Sequence, residues 1–260
     1  MSPTQVTAVP YARAPIFFLH IPKTAGSALN GYCVNWFGSE RSLLHVESVV
    51  GVESVETVEC TIDWTVYDFV SGHLTVPMMQ RLIEIHEWVT VTMVREPFQQ
   101  VLSHLKWLRE IGCPGRSDSL GDYPVEFQEI ALGLYEYDLE SPSDVRALIY
   151  WLETIGFDYF HDCQTLYLDG ESRDLERALE NLAEFDVVGL SEDPGRVIEA
   201  LARKGYCGRN EPGHIEPRNV QTGVPRHACD DPEMRHALFP LVRRDLPLYE
   251  GACRIVNQEN

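Results

Sequence analysis

The sequence predicts an α/β fold in which a central parallel β-sheet is flanked by helices. Two short apolar runs, residues 16–20 and 88–94, are rich in aromatic or β-branched side chains and have the length of buried strands. A turn and a segment with helical periodicity follow each of them. The order strand, turn, helix, repeated along a chain, is typical of a parallel sheet whose crossover connections are helices.

The first half of the chain contains most of the predicted strands. Strands are predicted at 16–20, 66–71 and 88–94, and helices are predicted to begin at Ser27, Pro77 and Pro97. Ser27 can cap the first of these helices, and proline suits the first turn of the other two. The acidic, valine-rich stretch 45–63 has no clear period and is predicted to be strand or loop.

The second half is predicted to be mainly helical. Helices are predicted at 141–152, 173–184, 194–204 and 232–244, and a further buried strand at 185–190. Gly205 follows the third of these helices at the position where glycine commonly ends a helix. Residues 206–227 show no regular pattern.

The length of 260 residues suits one α/β domain. Residues 15–260 are therefore predicted to form a single domain. Residues 1–14 are predicted to be a flexible leader, since they lack the apolar region of a signal peptide. The stretch 112–165 begins with mixed glycine, proline, tyrosine and aspartate, and it is predicted to be an insertion or lid.

The charge and cysteine content exclude several classes of protein. Forty acidic against 21 basic residues give a net charge of −19, whereas nucleic acids and anionic membranes require a positive surface. No stretch approaches the ~18 apolar residues of a membrane span. Seven cysteines without a CxxC pair fit reduced thiols in the cytoplasm. No cysteine or histidine pair has a partner at zinc-like spacing, so no metal is expected.

The sharpest local signal is the segment IPKTAGS, residues 21–27, between the first predicted strand and helix. Successive N–H groups in such a turn can converge on a phosphate, and the helix N-terminus adds partial positive charge. Gly26 allows close approach of the backbone, while Lys23 supplies a mobile cation. The segment is not a Walker A motif, because GxxxxGK[ST] places the glycine before the lysine.

Three sequence blocks resemble the sulfotransferases that use 3′-phosphoadenosine 5′-phosphosulfate (PAPS), in particular their carbohydrate-type and bacterial branch. FFLHIPKTAGSAL, residues 17–29, is similar to the loop of that family that binds the 5′-phosphosulfate. TMVREPFQQVLSHL, residues 92–105, is similar to its 3′-phosphate block, and FVSGH, residues 69–73, to the Gly-His segment between the two. The likeness is clear over residues 15–110 and weak over 185–225.

The resemblance implies a P-loop-like three-layer sandwich and a PAPS-dependent sulfotransferase. It implies that Lys23 steadies the charge on the leaving oxygen, and that Arg95 and Ser103, with Arg218 in PRN, bind the 3′-phosphate. The complete set of cofactor-binding residues that it implies is Lys23, Thr24, Ala25, Gly26, Ser27, Ala28, Arg95, Ser103 and Arg218.

Sulfuryl transfer also needs a base for the proton of the acceptor hydroxyl. His73 is the preferred candidate, because it follows Gly72 directly after a predicted strand and an imidazole suits proton transfer at neutral pH. His20 is a rival that lies within a strand. The carboxylates of Glu47, Glu53 and Asp68 are outside candidates.

The acceptor is the least defined part of the prediction. A neutral sugar, a lipid-linked hydroxyl, a secondary metabolite and a carrier-bound hydroxyacyl chain all stay open, whereas a polyanionic glycosaminoglycan fits the acidic chain poorly. The stretches 112–165 and 206–227 are expected to build the acceptor side. Two other functions remain open: a small P-loop-type phosphotransferase, and a non-catalytic nucleotide-binding protein of the same fold.

Overall fold

The structure, a computed structural model, describes residues 14–50, 62–83, 87–113, 120–206 and 229–258. Nearly all of the predicted leader 1–14 lies outside these residues, as do Glu53 and the candidate phosphate ligand Arg218. In the part of the chain that is described, no helix is both long enough and apolar enough to cross a membrane.

Five parallel strands form one sheet, in the order β2-β3-β1-β4-β5. The strands are β1 Ile16–Leu19, β2 Ser42–Leu43, β3 Phe69–Gly72, β4 Val89–Val94 and β5 Val187–Leu190. Every residue of β1, the central strand, is buried, as expected for a parallel sheet covered on both faces. The structure thus confirms the predicted α/β class with a central parallel sheet.

Helices flank the sheet on both faces. They are α1 Gly26–Phe37, α2 Val46–Val50, α3 Val76–Ile83, α4 Pro97–Ile111, α5 Val125–Gly133, α6 Pro142–Thr154, α7 Cys163–Asp169, α8 Leu175–Ala183, α9 Gly195–Arg203, α10 Pro232–Leu238 and α11 Asp245–Gln258. Short 3₁₀ turns occur at 39–41, 64–66, 120–122, 134–136 and 239–241.

The hydrophobic core follows the alternation of side chains along the strands. Phe17 and Leu19 point to one face of the sheet, against α3, α8 and α11, while Ile16 and Phe18 point to the other, against α1 and α9. A third apolar cluster joins α4, α5, α6 and α10. The described part of the predicted insertion 112–165 is therefore largely helical and packs on α4 and α10.

Several predicted elements have different bounds in the structure. The predicted strand 66–71 begins only at Phe69, because residues 64–66 form a 3₁₀ turn whose Thr65 N–H donates to the Asp63 carboxylate. The predicted helix 232–244 ends at Leu238. Ser27 does not cap α1: its N-cap is Ala25, in a left-handed conformation with no side-chain bond.

Candidate functional site

The candidate site lies at the carboxyl edge of the sheet, where the loops after β3, β1 and β4 meet. Leu19 at the end of β1 is in register with Gly72 on one side and Thr92 on the other. The loops that follow carry His73, Lys23 and Arg95. Open α/β sheets bind ligands at this edge, next to the point where the strand order reverses.

The backbone of the loop before α1 has the conformation of an anion site. Lys23 and Ala25 both have φ 66°, in the left-handed region that non-glycine residues rarely adopt. Such conformations at alternate residues turn successive N–H groups toward one concavity. In the described part of the chain, none of the N–H groups of residues 23–27 donates a hydrogen bond. The loop therefore leaves five N–H groups for an anion, at the N-terminus of a twelve-residue helix.

Side chains hold this loop by its carbonyl groups. The bonds run from Thr24 Oγ1 to the Ile21 carbonyl (2.8 Å), from Gln100 Nε2 to the Pro22 carbonyl (2.9 Å) and from Arg95 Nη1 to the Lys23 carbonyl (3.1 Å). In a trans peptide the carbonyl and the N–H point in opposite directions. Because Gln100 and Arg95 bind the carbonyl groups, the N–H groups of Lys23 and Thr24 point away from these two side chains.

The hydroxyl groups of the loop differ in their surroundings. Thr24 is fully buried and its hydroxyl proton is used in the bond to Ile21, so the N–H of Thr24 is what it offers to a ligand. The Ser27 side chain is exposed in the first turn of α1. Ala28 is buried and its N–H bonds back to the Ala25 carbonyl, so it shapes the rim of the loop rather than donating to it.

Gly26 is required by a close contact with a buried ring. A Cβ atom at this position would lie 2.0 Å from Cδ2 of His20, which real Cβ contacts do not reach. His20 cannot easily move away, since it is buried and its ring stacks on Phe18 with 5.4 Å between centroids. The sequence predicted that Gly26 lets the backbone approach a phosphate. In the structure, glycine at this position is required for packing against His20.

We expect Gly26→Ala to lower the free energy of unfolding by about 1–3 kcal/mol, the usual cost of overpacking a core. The displaced loop should also lose its anion affinity. Urea denaturation and nucleotide titration measure the two effects. Gly121→Ala is the matched control, because a Cβ there would meet nothing within 4 Å. Equal effects of the two substitutions would contradict this account of the loop.

Lys23 is a partly buried cation between the loop and helix α4. Its Nζ lies 5.7 Å from the centroid of the Trp107 ring, a cation–π distance. Burial lowers the pKa of Lys23, the positive charge of Arg95 lowers it further, and Glu110 opposes the shift. A charge in a partly desolvated place interacts more strongly with an anion than a charge in water does.

Arg95 follows β4 and has its backbone fixed by a side chain that the sequence analysis did not identify. Gln164 is fully buried; its Oε1 accepts the Arg95 N–H at 2.8 Å and its Nε2 donates to the Arg95 carbonyl at 3.0 Å. The N–H of Gln164 donates in turn to the buried carboxylate of Asp245 at 3.2 Å. Burial raises the pKa of Asp245 to about 7, although its hydrogen bonds with Thr165 and Gln164 oppose that shift.

One side of α4 faces the loop. Gln100 and Trp107 both lie against it, and Ser103 lies between them at helical spacing. The Ser103 side chain is half-buried, and its hydroxyl makes no hydrogen bond to a described residue.

Lys106 is a further cation on this helix that was not predicted from the sequence. Burial lowers the pKa of Lys106 to about 8, and the nearby charge of Arg95 contributes. Lys106 lies three residues after Ser103, and this helical spacing could have identified it from the sequence.

His73 is held in one orientation by two hydrogen bonds. Its Nδ1 lies 2.6 Å from the His20 carbonyl, and because a carbonyl only accepts, Nδ1 carries the proton. The backbone N–H of His73 donates to Glu47 Oε2 at 2.9 Å. Burial lowers the pKa of His73, so the neutral ring with an unprotonated Nε2 is the favoured form.

The other candidate bases are placed less well. His20 is buried against His73, with 4.3 Å between ring centroids, and burial holds the pKa of His20 well below its usual value. Asp68 precedes β3, at the opposite edge of the sheet, and forms an ion pair with Arg41. Glu47 is beside His73, where it accepts the backbone N–H.

Aromatic side chains of the predicted acceptor side mostly pack together. Phe160 is buried against Phe157 and Tyr159, and Trp151 stacks on Tyr137. Tyr150 is 73% exposed on α6. Trp107, which lies under Lys23, contacts the His104 ring, and His104 in turn contacts Tyr159 and Phe160, so these two rings connect the candidate site with the aromatic group.

No family model matches the chain, and the comparison with curated proteins finds no match either. The residues of the candidate site and the motifs that they form are therefore what indicates a function.

Proposed function

We propose that the protein is a sulfotransferase that moves the sulfuryl group of PAPS to an acceptor hydroxyl by in-line displacement with a general base. The observation that carries the proposal is the loop 23–27, whose N–H groups make no hydrogen bond to a described residue and whose residues Lys23 and Ala25 are left-handed, with Arg95 at the end of the neighbouring strand. These are the residues in which the sequence resembles PAPS-dependent sulfotransferases.

The two ends of the nucleotide would use different parts of the site. In this proposal the N–H groups of residues 24–27 bind the 5′-phosphosulfate, where the α1 N-terminus adds its partial charge. Arg95 and Ser103 bind the 3′-phosphate, and an arginine can do so with two parallel hydrogen bonds. Lys106 lies near enough to Arg95 for that positive charge to help lower the pKa of Lys106, and it extends the same positive region.

The proposed reaction forms a bond between the acceptor oxygen and sulfur and breaks the bond between sulfur and the 5′-phosphate oxygen. His73 Nε2 receives the acceptor proton, since its Nδ1 is already protonated and bound to the His20 carbonyl. Lys23 stabilises the charge that develops on the leaving oxygen. The loop holds its N–H groups in place before the reaction, so little reorganisation is needed.

We expect His73→Gln to lower turnover by ~10²–10⁴-fold, the usual contribution of a positioned base, while the affinity for adenosine 3′,5′-bisphosphate changes little. Transfer of labelled sulfate from PAPS to a panel of hydroxyl acceptors measures the first quantity, and titration calorimetry the second. His236→Ala, an exposed histidine on α10, is the control. A fall in nucleotide affinity with unchanged turnover would remove His73 from the role of base.

The acceptor side of the site indicates the class of acceptor. Trp107 and the half-buried rings of the 120–160 region pack against an apolar cluster, which suits a neutral hydroxyl compound or a carrier-bound hydroxyacyl chain. We propose a cytoplasmic enzyme, consistent with the free cysteines found among the described residues. The proposed chemistry itself uses no metal ion.

A further inference from the structure

Three metal-binding side chains come together beside the proposed nucleotide loop. His45 follows β2, Glu47 lies in the first turn of α2, and His73 follows β3. Because β2 and β3 are neighbours in a parallel sheet, their carboxyl ends bring the three residues to the same edge. One ligating atom from each residue lies within 4.8 Å of the other two.

We infer that His45, Glu47 and His73 form a binding site for a divalent transition-metal ion of the zinc type. Two imidazoles and one carboxylate are a ligand set that proteins use for zinc when one coordination position stays open. Imidazole nitrogen also favours zinc over magnesium and calcium, which prefer oxygen ligands. With both imidazoles neutral the carboxylate gives the site one negative charge, which suits a cation.

The ligands are already oriented by hydrogen bonds of the kind that surround metal sites. His73 donates its Nδ1–H to the His20 carbonyl at 2.6 Å, which leaves Nε2 available to a metal. A metal-bound histidine almost always makes such a bond with its other nitrogen. Glu47 Oε2 accepts the His73 backbone N–H at 2.9 Å, while Oε1 lies 3.2 Å from Nδ1 of His45.

The backbone around the cluster allows the three side chains to lie close together. Gly72 lets Glu47 come close, since a Cβ there would lie 2.5 Å from Glu47 Oε2. His45 has φ 55°, an unfavourable left-handed conformation, and its carbonyl accepts both the N–H and the hydroxyl of Ser48. These contacts fix the backbone at His45 and His73, while the His45 ring is exposed, with its Nδ1 3.2 Å from Glu47 Oε1.

Only a small movement is needed to complete the site. Two ligand atoms at about 2.1 Å from one tetrahedral zinc ion are roughly 3.4 Å apart. The separation of 3.2 Å between His45 Nδ1 and Glu47 Oε1 already meets this value. The three ligand atoms all lie within 4.8 Å of one another, so rotation of the exposed His45 ring and a shift of the Glu47 carboxylate would suffice to reach that spacing.

Metal binding has a consequence that rests on the proposed function. The nitrogen that would hold the metal, His73 Nε2, is also the atom proposed to take the acceptor proton, and it cannot do both. Bound zinc should therefore slow sulfuryl transfer without weakening the binding of adenosine 3′,5′-bisphosphate. The metal ion would act as an inhibitor that occupies the proposed catalytic base.

The metal site is tested without any measurement of catalysis. The full chain, freed of metal with a chelator, is titrated with Zn²⁺ by calorimetry and with Co²⁺ by visible absorption. We expect one ion per chain, and a loss of affinity of more than about 100-fold in His45→Ala and Glu47→Gln, since even outer residues of metal sites contribute 10–100-fold. His236→Ala should bind as the unchanged protein does. Circular dichroism checks that each variant is folded.

Two results would overturn the metal site: no binding by the unchanged protein, or equal binding by His45→Ala, which would place the ion on cysteines or other groups. Absence of the near-ultraviolet thiolate–cobalt band supports histidine and carboxylate ligation. The inhibition is tested separately, by adding Zn²⁺ to the transfer assay. Binding with undiminished transfer would leave the metal site in place and contradict His73 as the base.

Discussion

Replacing Lys23 with alanine should lower the rate of sulfuryl transfer by roughly 10²–10³-fold, the range found when one electrostatic group at a developing negative charge is removed. The effect should fall mainly on turnover, because in the proposal the N–H groups of residues 24–27 remain to bind the phosphosulfate. Single-turnover measurement of sulfate transfer separates the chemical step from binding. The fold should persist, since Lys23 is only partly buried and makes no ion pair among the described residues.

Lys204→Ala is the matched control for this experiment. Lys204 follows α9 and its Nζ lies 3.7 Å from an oxygen of Asp186, which precedes β5 and so lies at the opposite edge of the sheet. Its removal should leave transfer unchanged. Near-normal turnover in Lys23→Ala, with Lys204→Ala behaving the same, would reject the role of Lys23 in stabilising the leaving group.

Replacing Arg95 with alanine should weaken the binding of adenosine 3′,5′-bisphosphate by roughly 10–100-fold, since hydrogen bonds to charged groups are worth about 1.5–3 kcal/mol. Part of the loss in affinity comes from the missing contact with the 3′-phosphate. The rest comes from a less well held loop, because Arg95 Nη1 also donates to the Lys23 carbonyl. The affinity for adenosine 5′-monophosphate, which lacks the 3′-phosphate, should fall much less. Titration calorimetry measures both constants.

Arg95→Lys distinguishes the two contributions. A lysine keeps the positive charge but lacks the planar guanidinium group that binds phosphate with two hydrogen bonds. We therefore expect Arg95→Lys to recover part of the affinity for adenosine 3′,5′-bisphosphate. Arg146→Ala, an exposed arginine on α6, should bind both nucleotides normally. If Arg95→Ala weakened the two nucleotides equally, Arg95 would support the loop alone and would not contact the 3′-phosphate.

The sequence predicts the elements around the candidate site well, because their signals are local. Helix α4 begins at Pro97 as predicted, since Pro97 suits its first turn and the adjacent Glu96 carboxylate accepts the Gln99 N–H. The loop 21–27 lies between strand and helix as expected. Its left-handed residues, Lys23 and Ala25, could not be predicted, because non-glycine residues adopt that conformation only where the surroundings impose it.

What the sequence does not predict depends on contacts between distant residues. Gln164 lies 69 residues after Arg95, and nothing in its own neighbourhood marks it as the residue that fixes the Arg95 backbone. Glu47 and His73 are likewise brought together only by the pairing of β2 with β3. Helix α11 was not predicted, because Gly251, a poor helix former, interrupts its pattern; in the structure a Cβ at this position would lie 2.4 Å from Cδ2 of Leu179.

The central claim is that the loop 23–27 and Arg95 bind a nucleotide that carries both a 5′- and a 3′-phosphate. Calorimetric titration with adenosine 3′,5′-bisphosphate in EDTA, with ATP as the control, tests it most directly. The account predicts binding with a Kd on the order of micromolar in the absence of metal, and much weaker binding of ATP. No binding, or binding of ATP that depends on Mg²⁺, would contradict it and favour a phosphotransferase.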